Sequence, residues 1–112
     1  MTRVSFLFAI AIAFQAVSAS AVTGEITAIE DLQRDTPVTV QGTVDRITSS
    51  DEFYLRDETG AVRVYVGPNR IPAEVGENIT IIGKVDEDRK LEVYAFEIIR
   101  ADGSRVELPH RY

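Results

Sequence analysis

The sequence predicts an all-β domain of five short strands coiled into a small barrel, and three observations predict it. From Val38 onward apolar and polar residues alternate, the period of a strand with one buried face. Clusters of turn-forming and charged residues, Asp57-Glu58-Thr59-Gly60 and Asp86-Glu87-Asp88-Arg89-Lys90, interrupt that alternation at hairpin spacing. Gly42 and Gly83 stand inside the first and fourth strands. Glycine costs stability there unless the backbone bends sharply or is closely approached, and two such residues fit the coiling of a five-stranded barrel.

The N-terminus reads as a leader for export. Arg3 supplies a positive charge, residues 4–14 are apolar apart from Ser5, and Ala19-Ser20-Ala21 offers small side chains at the positions a signal peptidase reads. Cleavage is expected before Val22, giving a signal peptide over 1–21 and a single domain over 22–112. A transmembrane anchor needs roughly 20 apolar residues, about twice this run, so a protein released into the periplasm is expected. Removing residues 1–21 takes away one of the 12 basic residues and none of the 18 acidic ones, which moves the net charge from −6 to −7. The chain has no cysteine, which excludes disulfides, thiolate zinc sites and thiol redox chemistry. No cofactor is implied.

Residues 22–34 read as a short amphipathic helix or a lead-in, with Ile26, Ile29 and Leu32 recurring every three residues. Pro37 ends it. The first strand alternates Val38, Val40, Gly42 and Val44 inward. The second places Phe53 and Leu55 on one side and Tyr54 and Arg56 on the other. Asp57 and Gly60 form a tight turn, Asp57 by accepting a backbone N–H and Gly60 by taking positive φ. In the third strand Val62, Val64 and Val66 oppose Arg63 and Tyr65. A one-turn helix is expected between the third and fourth strands, with Pro72 at its start, Gly76 at its end, and Ile71 and Val75 as apolar anchors. The fourth strand runs from Asn78 to Val85. In the fifth, from Leu91 to Ile99, the alternation slips between Ala95 and Phe96, and a β-bulge there would return Phe96 and Ile98 to the inner face. The last residues, with the chain's one histidine at 110, read as a loosely ordered tail.

Four stretches resemble the bacterial OB-fold family of small periplasmic proteins, some of them described as stress-tolerance proteins. They are Pro37-Val38-Thr39-Val40-Gln41-Gly42, Tyr54-Leu55-Arg56-Asp57-Glu58-Thr59-Gly60, Val75-Gly76-Glu77 and Gly83-Lys84-Val85-Asp86. Leu55 replaces the aromatic residue of the family's hairpin motif, while Asp57, Thr59 and Gly60 match. Gly76, Ile79, Ile81, Gly83, Val85 and Asp86 follow the family's fourth strand, with Ile79 in place of valine. The resemblance runs from about Thr23 to Ile99. It implies a five-stranded OB-fold barrel and a non-enzymatic bacterial envelope protein of the stress-tolerance type, and it carries no catalytic residues.

Nothing in the residues assembles a catalytic centre, which needs a nucleophile and a base in reach of each other. His110 lies in the tail, and Ser49, Ser50 and Asp51 have no imidazole nearby to activate them. Asp86, Glu87 and Asp88 are candidates for a weak cation site, set against a plain solvated hairpin tip whose Arg89 and Lys90 compete for the carboxylates. The sharper candidate is the outer face of the second and third strands: Tyr54, Arg56, Arg63 and Tyr65, joined by Arg46 if the first strand bends near its end. Guanidinium and phenol groups suit phosphate contacts and stacking, although the same residues also occupy ordinary half-exposed sheet faces. The reading is a periplasmic binding protein whose partner is an envelope protein, a peptide or an anionic small molecule. Two alternatives are an oligonucleotide-binding module, opposed by export and acidic charge, and a weakly cation-responsive envelope protein.

Overall fold

Valine, isoleucine and aromatic residues on alternating parity build six strands in the computed structural model, which describes residues 25–87 and 90–109. They are β1 (Pro37–Ile47), β2 (Glu52–Arg56), β3 (Ala61–Tyr65), β4 (Asn78–Val85), β5 (Glu92–Ile99) and β6 (Arg105–Glu107). They form one sheet in the order β3-β2-β1-β4-β5-β6, with every neighbouring pair antiparallel. The inner face is Phe53, Leu55, Val62 and Val64 from the hairpin, Val40 and Val44 from β1, Ile79, Ile81 and Val85 from β4, and Val93, Ala95 and Ile98 from β5, all 0–2 % exposed. Burying side chains of this kind contributes about 1.5–3 kcal/mol each.

The closed five-stranded barrel expected from the sequence is not what forms. The sheet coils until β3 approaches β5, but they meet in a parallel seam of only three residue pairs, Arg63–Glu92, Val64–Val93 and Tyr65–Tyr94. The later part of β5 turns away to pair with β6 instead. A sixth strand and a short seam therefore replace barrel closure. The turn before β6 is closed by Asp102, whose Oδ1 accepts from the Ser104 N–H and hydroxyl, and by Gly103 at φ 89°. Leu108, just past β6, is 3 % exposed and joins the core.

Gly42 and Gly83 do what their position in the strands suggested. A Cβ on Gly42 would run into the carbonyl oxygen of Arg56, and one on Gly83 into that of Tyr94. At Gly83 the close approach coincides with the bulge: Gly83 faces Ala95, Ile82 faces Glu97, and Phe96 is the extra residue. The bulge restores Ile98 to the core as expected. Phe96 itself stays 41 % exposed, because it is the residue the bulge leaves over.

Of the helix or lead-in expected before the first strand the structure forms a lead-in, and the one-turn helix expected before β4 is corrected. Before β1 the described chain makes one 3-10 turn, Ile29–Asp31, flanked by extended residues Ala28 and Leu32. Ile29 is buried there while Ile26 is 44 % exposed, so the three-residue spacing does not mark one helical stripe. Between β3 and β4 there is no helix. Gly67 and Gly76 take positive φ at the two ends, and the stretch between them, with Pro68 and Pro72, is irregular. Ile71 packs against the core, but Val75 is 61 % exposed and anchors nothing; buried Ala73 takes that place. The leader residues and His110 lie outside the described residues, and among those described no helix is long and apolar enough to cross a membrane.

Candidate functional site

The outer parity of β2 and β3 follows directly from the inward run of Phe53, Leu55, Val62 and Val64, so Tyr54 and Arg63 share the opposite face as cross-strand partners. Arg46 reaches that face because β1 bulges. Val44 pairs with Leu55 and Arg46 with Tyr54, which leaves Asp45 as the extra residue and turns both Asp45 and Arg46 outward. The register then runs Arg46, Tyr54, Arg63 and Glu92 across four strands in one row. The Arg46 guanidinium carbon lies 4.5 Å from the centre of the Tyr54 ring and that of Arg63 lies 5.8 Å away. Arg63 Nη2 donates to the Tyr54 hydroxyl at 3.3 Å. Arg63 first, then Arg46, holds the Tyr54 phenol below its usual range.

The other two predicted members of the face belong to separate pairs. Arg56 is held by the bulged Asp45, with Nε 3.3 Å from Oδ1 and Nη2 3.1 Å from Oδ2, and this bond lowers the Asp45 carboxyl. Tyr65 lies against Tyr94 of β5, with ring centres 5.3 Å apart and planes tilted by 50°. The five predicted residues therefore divide into a triad of Arg46, Tyr54 and Arg63, an Arg56–Asp45 pair and a Tyr65–Tyr94 pair.

Acidic residues that sequence reading missed complete the triad. Arg63 Nε is 3.9 Å from Glu52 Oε1 on β2, and Glu92 of β5 is its partner across the seam. Burial, and then the neighbouring Glu52 carboxyl, push Glu92 up to about 7. The signal available in the sequence was parity, since Glu92 and Tyr94 alternate with inward Val93 and Ala95. What parity could not supply was the pairing of β5 with β3.

The acidic loop after β4 does not gather into a site. Asp86 Oδ1 accepts the Glu87 N–H at 2.8 Å, Asp88 lies outside the described residues, and among the described residues no three carboxylate or imidazole groups are placed to hold a metal ion. Beside that loop is an open recess of about 180 Å³ lined by Asp35, Lys84, Tyr94 and Phe96 among others, with Lys84 paired to Asp35 at 2.9 Å. Ser49 donates to Asp51 at 2.8 Å, a local loop contact.

Comparison with known proteins matches residues 8–100 to the family described as "Bacterial OB fold (BOF) protein". The chain belongs to the bacterial OB-fold family. It is 30 % identical over 88 residues to the "Calcium-regulated OB-fold protein CarO" of Pseudomonas aeruginosa, covering 73 % of this chain and 76 % of that one. Its fold is similar to that of the hypothetical protein ygiW from E. coli, with a TM-score of 0.61, 26 % identity, and coverage of 77 % of this chain and all of the other. With membership comes the coarser function: a small OB-fold binding module without catalytic machinery.

The family's hairpin residues have a structural task here. Asp57 Oδ1 accepts from the N–H groups of Thr59 and Gly60 and from the Thr59 hydroxyl, while Oδ2 accepts from the Ile29 N–H at 2.9 Å. Thr59 Oγ1 in turn accepts the Glu30 N–H at 3.0 Å. The turn thus clasps the 3-10 segment and satisfies its leading N–H groups. Gly60 is not among the residues at positive φ, so Asp57 shapes the turn where glycine was expected to.

Proposed function

We propose that this bacterial OB-fold protein is exported to the periplasm through its leader and there binds a compact anionic group, carried by a small molecule, a peptide or an envelope protein. The observation that carries this reading is the flanking of Tyr54 by two guanidinium groups, Arg46 and Arg63, on a chain of net charge −6. Among the described residues no carboxylate lies within ion-pair distance of Arg46. Two planar donors beside one phenol suit an oxyanion placed between them. Glu92 at the end of the row and Glu52 beside Arg63 would repel an extended polyanion, which favours a single anionic group over a nucleic-acid strand. The name of the Pseudomonas aeruginosa relative speaks of regulation by calcium; a calcium ion takes six to eight oxygens, and the triad offers cations instead.

Calorimetric titration with inorganic sulfate at low salt tests the reading. Saturable binding by the wild type that is lost in both Arg46→Gln and Arg63→Gln supports it. Equal binding by the wild type and both variants places the anion elsewhere.

A further inference from the structure

Arg63 stands between two sets of partners. On the β2 side it donates to Tyr54 and faces Glu52, and on the β5 side it faces Glu92. Glu52 Oε1 lies 3.9 Å from Arg63 Nε and Glu92 is the register partner of Arg63 across the seam, so two carboxyl groups converge on one guanidinium, a crowding that favours a proton on one of them. We propose that the Glu52–Glu92 pair is a proton-operated gate on the anion site. With a proton on the pair Arg63 is available to an incoming oxyanion, and without it the two carboxylates claim Arg63 and repel the ligand. The gate rests on the anion-binding reading above.

Four groups face Glu92 besides the buried surroundings of the seam. Glu52 on β2 and Asp86 in the turn after β4 favour its protonated form, Arg63 on β3 favours its ionised form, and Tyr54 shares Arg63 with it. Burial and Glu52 outweigh Arg63, which puts the change near neutral pH. As pH rises through that range the pair goes from one negative charge to two. A second charge a few ångströms from the bound anion should weaken binding about fivefold at a half-exposed, partly screened site.

The test is sulfate affinity from about pH 6 to about pH 8 at constant ionic strength, because sulfate keeps both its charges throughout. The wild type should lose affinity about fivefold across this interval. Glu92→Gln should bind tightly and evenly at every pH. Binding that needs Arg46 and Arg63 but stays level with pH in the wild type overturns the gate and leaves the anion site standing. Absence of saturable binding in both wild type and Glu92→Gln overturns both. Should the variant fold poorly, carbon-13 detection of the Glu92 carboxyl in the wild type decides alone. A midpoint near neutral that falls in Glu52→Gln supports the gate, and a midpoint in the ordinary carboxylate range overturns it.

Discussion

At the tip of the β2–β3 hairpin, the two carboxylate oxygens of Asp57 are taken by four donors from its own turn and from the 3-10 segment. A few residues away, on the outer face of the same hairpin, Arg46 and Arg63 crowd one tyrosine while two carboxyl groups compete for Arg63. Both regions are polar and both lie outside the core. The difference is completeness. Where every donor has its acceptor, as around Asp57, an added ligand would have to break bonds before making any. Where a guanidinium stacks on a ring with no carboxylate at ion-pair distance among the described residues, as Arg46 does on Tyr54, a ligand can supply what the fold leaves open. Polar clusters in a small β-domain are therefore sorted by their unfilled partners more than by their charge.

The largest expected effect tests the completed region. Burial works to raise the Asp57 carboxyl, and the bonds from Thr59, Ile29 and Gly60 outweigh it, so the group titrates below its ordinary range. Asp57→Ala should lower unfolding stability in urea by about 2–3 kcal/mol, since four donors lose a charged acceptor and the 3-10 segment loses its clasp. Sulfate affinity under folding conditions should be unchanged. A loss of binding without a loss of stability would erase the distinction between the two regions.

Next in size is the dependence of stability on pH, which sets the face against a second completed cluster. Glu77 accepts from Arg100 Nε at 2.9 Å and Nη2 at 2.8 Å and from the Ala101 and Glu74 N–H groups, and the Arg100 bonds chiefly hold its carboxyl at about 2. Its folded value lies below the unfolded 4.5, so its contribution is present above that value and is lost as pH falls from there toward 2. Glu92 works in the opposite sense. Its folded value near 7 lies above the unfolded 4.5, so stability falls as pH rises between them. Unfolding followed by circular dichroism should therefore show greatest stability near pH 4.5, lower on each side by about 2 kcal/mol. Glu92→Gln should flatten the neutral limb and leave the acid limb in place; an unchanged neutral limb would remove Glu92 from the account.

The smallest effect belongs to the face itself. Arg46→Gln and Arg63→Gln should each leave the urea midpoint close to that of the wild type, because both side chains lie outside the core in weak or competing contacts. A larger loss in urea titration would make the triad a structural element like the Asp57 turn.

How much of this was legible in the sequence follows from what each feature depends on. Alternation of Val38, Val40 and Val44, or of Ile79, Ile81 and Val85, is a local signal, and those strands formed where it placed them. The slip between Ala95 and Phe96 is local too, and it located the bulge while misplacing Phe96 on the inner face. Barrel closure was misjudged because the β3–β5 seam joins residues far apart in the chain, and three residues of β6 are too few to show a period. The candidate face was read in outline. Tyr54 and Arg63 came from parity, and Arg46 came conditionally, since the bulge at Asp45 decides its side. The partners that removed Arg56 and Tyr65 from the triad, and the carboxyl groups that completed it, depended on cross-strand register that no single strand discloses.

The most direct test of the contrast is a map of backbone amide shifts during sulfate titration of the wild-type protein. The expected shifts grow along the row Arg46, Tyr54 and Arg63, reach the seam at Glu92, and leave Asp57 to Gly60 and the Glu77–Arg100 cluster still. Shifts centred on the Asp57 turn or on Glu77, with the row unmoved, would contradict the account.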